Sequence, residues 1–318
     1  MTEEFQKFYT EELTPHLESF ESRRKKIAKT FLMTTGAGCA VAIPTSLAFQ
    51  EPVALFFGLV ISVILITIVW TCLTRGYTEE FKNVIIRRIV SFVEPSLSYS
   101  PDHYIQEPSF RSSEIFQHRI DRYGGEDHVN GKLGKTPFEF SEIHAEYKTT
   151  STDSKGRRKT HWHTIFSGLF FIAEFNKHFT GSTVVLPDSA EALFGSGIAK
   201  FFQNMNMSRD ELIQLEDPEF EREFVVYGED QIAARYILSP SLMRRILDFK
   251  RKTGNTVHLS FVHSKVFVAV STNRNMFEPR VFNTVLDASL MEEYVGDLLL
   301  ATGIVEDLNL NTRIWTKE

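Results

Sequence analysis

Three histidines could together hold a metal ion. His161 and His163 flank Trp162 on a segment with the pattern of a β-strand, so both imidazoles point to one face. His144 lies on the preceding predicted strand and would complete a set of three nitrogen ligands, such as zinc accepts. No cysteine or carboxylate at metal-ligand spacing accompanies them, and histidine pairs on strands are common in proteins without metal. A metal-assisted hydrolase that uses these three histidines is therefore only an alternative interpretation of the sequence, not the leading one.

A second group of side chains is basic. Lys155, Arg157, Arg158 and Lys159 lie in a polar segment, residues 149–160, that the pattern places in a loop between two strands. Such a cluster binds the phosphates of an anionic lipid surface or the carboxylates of a protein partner. The opposing interpretation is a solvated hairpin tip, where charges keep the end of a sheet soluble. One loop without interleaved aromatic rings is too small a footprint for nucleic acid.

Seven carboxylates crowd residues 215–230, but their spacing matches no calcium loop. Phe220, Phe224 and Val226 alternate with them and are predicted to anchor this segment in a core. Asp230 and Arg235 are predicted to form an ion pair across one helical turn. The chain has no phosphate-binding glycine loop, nucleophile elbow or dinucleotide fingerprint. The sequence therefore predicts no catalytic residues and no cofactor.

Composition limits the class of protein. The chain has 318 residues, 42% of them hydrophobic and 24% charged, which is ordinary for a globular protein and excludes a largely disordered one. Its 28 phenylalanines need a large core or a membrane to bury them. Two cysteines exclude a disulfide scaffold. The net charge of −6 argues against a protein that coats nucleic acid.

Two uncharged stretches carry the strongest signal. Residues 30–49 and 53–73 contain no charged side chain, and a helix of about 20 apolar residues crosses the hydrocarbon core of a bilayer. The three residues between them are too few for anything but an antiparallel connection. Glycines and Pro44 in the first stretch are tolerated where a neighbouring helix packs closely. We therefore predict a transmembrane helical hairpin over residues 30–74.

Basic residues predict the orientation of this hairpin. Lysines and arginines precede the first stretch and follow the second, whereas the connecting residues have none. By the positive-inside rule both termini are predicted to face the cytoplasm, and the predicted location is the inner (cytoplasmic) membrane, with a multi-pass topology. Three alternatives remain open: a cleaved signal peptide, a lipoprotein cleavage site at residues 36–39, and a hairpin buried in a soluble core.

The remaining elements position these groups. Residues 1–29 and 75–94 are predicted as helices, the second being an extension of the hairpin. Each has one apolar stripe, formed by Phe5, Tyr9, Leu13, Leu17 and Phe20 in the first and by Phe81, Val84, Ile85, Ile89 and Phe92 in the second. Thr14-Pro15 is predicted to restart or kink the first helix. Residues 95–318 are predicted as one cytoplasmic α+β domain with a mainly antiparallel sheet, which begins with an irregular linker over 95–113. Asn130-Gly131 is the signature of a tight hairpin turn. Val257–Val262 and Val266–Val270 have the pattern of a further hairpin. Helices are predicted over residues 189–205, 240–252 and 284–300.

Several segments resemble the bacterial domain-of-unknown-function family 3137, DUF3137. They are FYTEELTPHLESFESRRKKIAKT, TIFSGLFFIAEFNKHFTGSTVVLPD, LEDPEFEREFVVYGEDQIAARYILSP and LNLNTRIWTK, in the order expected for the family. The resemblance implies an N-terminal membrane hairpin but no assigned activity or site residues. It also implies a possible association with LemA-type membrane proteins. The leading interpretation is thus a membrane-anchored scaffold or binding protein; the alternatives are a sensor of anionic lipid headgroups and the hydrolase.

Overall fold

A computed structural model describes residues 3–49, 52–152, 156–175, 177, 179, 181–188 and 211–310; side chains of residues 38–55 and 57–59 lie outside this description. The chain divides into two compact units. Unit 1 comprises Met1–Val93 and Phe277–Gly296, and unit 2 comprises Glu94–Met276 and Asp297–Glu318. The predicted domain boundaries did not foresee that residues 277–296 belong with the N-terminal helices.

Unit 1 begins with one continuous helical rod. Helix α1 (Glu3–Phe8) passes through a π-helical turn (Tyr9–Leu13) into α2 (Thr14–Phe49). The predicted apolar stripe is confirmed, because Phe5, Leu13, Leu17 and Phe20 are buried. At Thr14-Pro15, where a restart or kink is predicted, α2 begins at Thr14 directly after the π-helical turn, and the rod continues because Pro15 has no N–H to pair.

A second helical rod returns alongside the first. Helix α3 (Pro52–Phe81) continues through a π-helical turn (Lys82–Ile86) into α4 (Arg87–Val93), and Phe81, Ile85 and Ile89 are buried as the stripe predicts. The rings of Phe20 and Phe81 lie 5.4 Å apart, and those of Phe31 and Trp70 lie 4.6 Å apart. Helices α2 and α3 therefore pack antiparallel.

One helix among the described residues, Val60–Val93, is long and apolar enough to cross a membrane. Only 6% of its most apolar window is buried. The exposed side chains include Ile64 and Ile68 on this helix and Leu32 and Met33 on α2. The two rods thus present apolar side chains outward, where a core helix would hide them.

Unit 2 is built on a nine-stranded sheet whose described pairings are all antiparallel. Its order is β1-β2-β3-β4-β9-β8-β5-β7-β6. The strands are β1 (Ser98–Ser100), β2 (Arg122–Leu133), β3 (Thr136–Thr152), β4 (Arg158–Glu174), β5 (Ser182–Pro187), β6 (Glu211–Leu212), β7 (Phe224–Gly228), β8 (Val257–Val262) and β9 (Lys265–Ser271). The predicted α+β class with a large antiparallel sheet is confirmed.

Five further helices complete the described chain. They are α5 (Glu107–Arg111), α6 (Pro218–Glu221), α7 (Gln231–Ile237), α8 (Pro240–Thr253) and α9 (Ala288–Asp307). The linker predicted over 95–113 contains β1 and α5, and α9 begins later than the predicted 284–300. The helix predicted over 189–205 lies outside the described residues.

The turn predicted at Asn130-Gly131 is wrong. Both residues lie inside β2, and the chain reverses after Leu133, with Gly134 at a φ of 59°. Gly131 is needed for a different reason: a Cβ there would lie 2.6 Å from the Leu97 side chain. The glycine serves close packing against the residue before β1, which a local sequence motif does not reveal.

The acidic segment is structural. Phe220, Phe224 and Val226 are buried, as predicted. Asp230 caps α7 by accepting a hydrogen bond from the Ile232 N–H at 2.8 Å, whereas Arg235 donates to the Gln214 carbonyl. The predicted Asp230–Arg235 ion pair is therefore wrong. The Asp230 carboxylate instead caps the helix, because the first N–H groups of a helix have no acceptor within it.

Candidate functional site: an exposed basic ribbon

Strands β3 and β4 extend beyond the rest of the sheet as a two-stranded ribbon, residues 147–152 and 158–163. The pairing runs from Tyr147 opposite His163 to Thr152 opposite Arg158. Strand β2 pairs with β3 only as far as Glu146, and β9 pairs with β4 only from Gly168 onward. Among the described residues, the ribbon strands therefore pair only with each other. At a rise of about 3.4 Å per residue, they reach about 20 Å past the sheet.

The base of the ribbon contains a β-bulge and a glycine with a positive φ. The register shifts after Ala145, where Ile165 is the extra residue of a β-bulge. Gly168 follows at a φ of +144°, and a Cβ there would lie 2.3 Å from the Val270 carbonyl oxygen. Bulges bend and twist a strand pair. The bulge and the glycine therefore mark where the hairpin leaves the sheet.

The ribbon carries the predicted basic cluster at its tip. Arg157, Arg158 and Lys159 are exposed, and Lys155 lies outside the described residues. Residues 147–163 contain five basic side chains and one acidic, in a chain whose net charge is −6. The polar loop predicted over 149–160 is mostly strand, because the threonines and Ser151 are compatible with an exposed ladder. The basic cluster is therefore held at the end of an extended arm.

One face of the ribbon is a stack of rings. His118 stacks on Tyr147 at 4.8 Å, and Tyr147 stacks on His163 at 4.9 Å between ring centroids. The Thr149 hydroxyl lies 2.9 Å from Nε2 of His163. Burial lowers the pKa of His118 below its usual range. Burial therefore favours the neutral form of the His118 imidazole in this stack.

The opposite face combines an aromatic ring with cations. The Arg122 guanidinium lies 4.1 Å from the centre of the Trp162 ring, and the Lys148 ammonium lies 5.9 Å from it. Arg122 also donates to the Glu146 carboxylate at 2.8 Å. The indole remains 40% exposed, so this face offers both apolar and cationic contact to a partner.

The structure does not bring the three histidines together. His144 lies on the face of β3 that carries Glu146, with its Nε2 3.4 Å from the Glu146 carboxylate. His163 lies on the other face, stacked on Tyr147, and His161 is exposed on the same strand two residues away. Strand alternation therefore separates His144 from the other two. The sequence could show the shared face of His161 and His163 but not the register of β3.

Sequence reasoning missed one cluster of carboxylates. Among the described residues, Glu126, Asp127 and Glu142 bring oxygen atoms within 4.8 Å of one another at the bulge in β2. Asp127 is buried and accepts a hydrogen bond from the Tyr99 hydroxyl, and Glu142 accepts one from the Met276 N–H at 2.7 Å. These contacts give the carboxylates a structural role. Because the cluster depends on strand register, no spacing in the sequence signals it.

Comparison with known proteins matches part of the chain to a family model that has no assigned activity. Residues 164–310 match the model of DUF3137, described as a protein of unknown function, which confirms the predicted family over that segment. No curated protein matches the chain. Among solved structures, the crystal structure of the mycobacterial trehalose monomycolate transport factor A, TtfA, shares 10% identity at a TM-score of 0.30, covering 67% of this chain and 94% of that chain. A similarity this low carries no argument about this protein.

Proposed function

We propose that this chain, whose residues 164–310 belong to the DUF3137 family, is a membrane-anchored binding protein. In this proposal α2 and α3 cross the bacterial inner membrane as a hairpin. The apolar side chains that the two rods expose support this, since water would penalise such a surface and lipid would not. Lysine and arginine flank the hairpin on the side of both termini, which favours a cytoplasmic location for them.

The ribbon is the proposed binding surface, and its partner is a protein with an acidic cytoplasmic face. One observation carries this proposal. The ribbon is an arm of about six residues on each strand, about 20 Å long, that pairs with no other described strand and ends in exposed cations. Trp162 and the unpaired strand edges offer contacts that a protein surface can use along the arm, in addition to charge. The family resemblance implies a LemA-type membrane protein as a candidate for this partner.

Charge reversal tests the ribbon. Full-length protein carrying Arg158→Glu with Lys159→Glu is used for affinity capture from its native membranes, beside a control with Arg222→Glu and Lys265→Glu. All four side chains are exposed and lie in unit 2, so the two variants change the net charge equally. We expect the ribbon variant to lose a captured membrane protein that the control retains. Capture of the same proteins by both variants would contradict the proposal.

A second experiment tests the alternative that the ribbon binds anionic lipid headgroups. The full-length protein in nanodiscs of neutral or anionic lipid is treated with trypsin, which cleaves after the ribbon's arginines and lysines. We expect equal cleavage rates in both lipids if the partner is a protein. Protection in anionic nanodiscs alone would assign the ribbon to the lipid surface. The anchor itself would be contradicted by recovery of the full-length chain in the soluble fraction without detergent.

The hydrolase interpretation has no comparable support. Its three histidines lie on opposite faces of the β3–β4 pair, so the described residues offer no assembled three-histidine ligand set. Binding remains the function that the exposed surfaces favour.

A further inference from the structure

A segment that follows the sheet in sequence is held within unit 1 by the N-terminal helices. Residues 277–287, here called the clamped segment, make hydrogen bonds to three side chains of the first helical rod. Tyr9 donates to the Leu286 carbonyl at 2.6 Å, and Arg24 donates to the Val281 carbonyl at 2.9 Å. The Glu21 carboxylate accepts from the Val285 N–H at 3.2 Å. The backbone is thus fixed on both sides of residues 282–284.

Buried charges make this attachment specific. The Glu21 and Arg24 side chains are only 7% and 11% exposed, and Arg24 donates two hydrogen bonds to Glu21 at 2.7 and 2.8 Å. The buried Lys82 ammonium lies 2.7 Å from the Glu278 carboxylate at the start of the clamped segment. Buried ion pairs that also bond backbone groups fix one geometry, since any other leaves a charge without a partner. The clamped segment therefore has one defined position in unit 1.

This rigid segment holds an apolar ring in the open. Phe282 is 64% exposed, and its ring is stacked parallel on Trp70 at 5.2 Å and lies 5.7 Å from Phe31. Leu286, four residues further on, is 37% exposed. Unit 1 thus exposes large apolar side chains on this segment as well as on α2 and α3, and an apolar neighbour would stabilise such a surface.

The position of the ring identifies that neighbour as lipid. Phe31 and Trp70 lie at the cytoplasmic ends of the two proposed spans, with Lys29 and Arg75 close by in sequence. Aromatic rings at this level form the belt that occupies the headgroup region of a bilayer, and basic side chains lie just outside it. Phe282 contacts the rings of Trp70 and Phe31, and the exposed Ile68 and Leu32 lie close to these two residues in sequence.

We infer that Phe282 and Leu286 insert into the cytoplasmic interface of the membrane as a third lipid contact beside the two spans. This inference rests on the proposed anchoring and extends it. The contact sets the depth of unit 1 in the bilayer, because the clamped segment cannot move independently of α2. Its partner is the headgroup and upper acyl region of lipid, not a protein groove.

Depth-dependent fluorescence quenching tests this contact in the full-length protein. Cys39 and Cys72 are replaced by alanine, and single cysteines are introduced as Phe282→Cys, Leu286→Cys, Ile64→Cys and Ile232→Cys. Each is labelled with an environment-sensitive fluorophore in nanodiscs that contain lipids spin-labelled near the headgroup or deep in the acyl chain. Ile64 reports on the proposed span, and Ile232, 80% exposed on α7 of unit 2, is the matched apolar control. Position 286 keeps the test valid if loss of the Phe282 ring perturbs the fold.

We expect probes at 282 and 286 to be quenched by the shallow label several-fold more strongly than the probe at 232, and the probe at 64 to be quenched by the deep label. Quenching at 64 without quenching at 282 and 286 would leave the anchor standing and overturn the third contact. Absence of quenching at all positions would overturn both. Equal quenching at 232 and 282 would also overturn the inference, since it would show no selectivity for the clamped segment.

Discussion

The clamped segment and the β3–β4 ribbon both expose side chains that a folded protein usually hides or pairs, but they are built in opposite ways. The clamped segment presents an apolar ring on a backbone fixed by Tyr9, Glu21 and Arg24. The ribbon presents cations on two strands that, among the described residues, pair only with each other beyond Glu146. The apolar ring thus stands on a backbone held by hydrogen bonds from a second element, whereas the cations stand on two strands that, in the described chain, share no ladder with a third.

The largest expected effect comes from removing the clamp. Glu21→Ala leaves Arg24 buried without its carboxylate and the Val285 N–H without an acceptor, so we expect a loss of about 3–5 kcal/mol in the free energy of unfolding. Thermal unfolding in detergent measures it. Glu18→Ala, an exposed carboxylate on the same helix, is the control and should stay within about 0.5 kcal/mol of the parent. Equal losses of unfolding free energy in Glu21→Ala and Glu18→Ala would contradict the view that buried contacts of Glu21 hold the clamped segment.

Acidification should weaken the same clamp. The hydrogen bonds from Arg24, with smaller help from the Val285 N–H, lower the pKa of Glu21 from 4.5 to about 2. Because the folded pKa lies below the unfolded one, this stabilisation is complete above pH 4.5 and is lost as the pH falls toward 2. Unfolding followed between pH 6 and pH 2 should show a decline of up to about 3 kcal/mol from this group. The decline should be smaller in Glu21→Gln, and an identical decline there would contradict the assignment.

A smaller, local effect is expected in the ribbon. Trp162→Ala removes the ring beneath Arg122 and Lys148, which should cost about 1 kcal/mol within the ribbon. We expect hydrogen exchange of the amides of residues 148–151 to accelerate about fivefold while the melting temperature of the protein hardly moves. Trp162→Phe retains a ring and should preserve most of the protection. A fall of many degrees in the melting temperature would show that the ribbon supports the whole sheet.

The smallest effect on stability is expected at the ribbon tip. Arg158→Glu with Lys159→Glu changes exposed side chains only, so the free energy of unfolding should stay within about 0.5 kcal/mol of the parent. The same melting experiments check this, and an unchanged circular dichroism spectrum confirms the fold. A loss comparable to that of Glu21→Ala would mean that the tip, like the clamp, is part of the structural framework.

Local patterns predicted much of this architecture, and non-local contacts account for the rest. The apolar stripes of the N-terminal helices, the β8–β9 hairpin and α8 follow from periodicity, which is a property of neighbouring residues. Asn130-Gly131 was misleading because the demand on Gly131 comes from Leu97, more than thirty residues earlier. The same limit applies to His144, whose separation from His163 depends on strand pairing.

The ribbon and the clamped segment differ in how far the sequence revealed them. The basic side chains of the ribbon are adjacent in sequence, so their cluster was visible although its strand conformation was not. Phe282 is one of 28 phenylalanines, and no local pattern distinguishes it from the others. Nothing near it in sequence indicates that Glu21 and Arg24 bond to the backbone on either side of it. Contacts over such separations leave no local pattern, which is why a single sequence did not predict them.

The late position of residues 277–296 has a consequence for how the protein is made. Helices α1–α4 leave the ribosome before the sheet, but their polar partners Val281, Val285 and Glu278 follow only after residues 94–276 have been translated. At about 5–20 residues per second that delay is roughly 10–40 s. During this interval Glu21, Arg24 and Lys82 have no native acceptor or donor from the late segment and must stay hydrated. Unit 1 therefore completes its assembly only after residues 94–276 of unit 2 have been synthesised, although its helices α1–α4 are made before them.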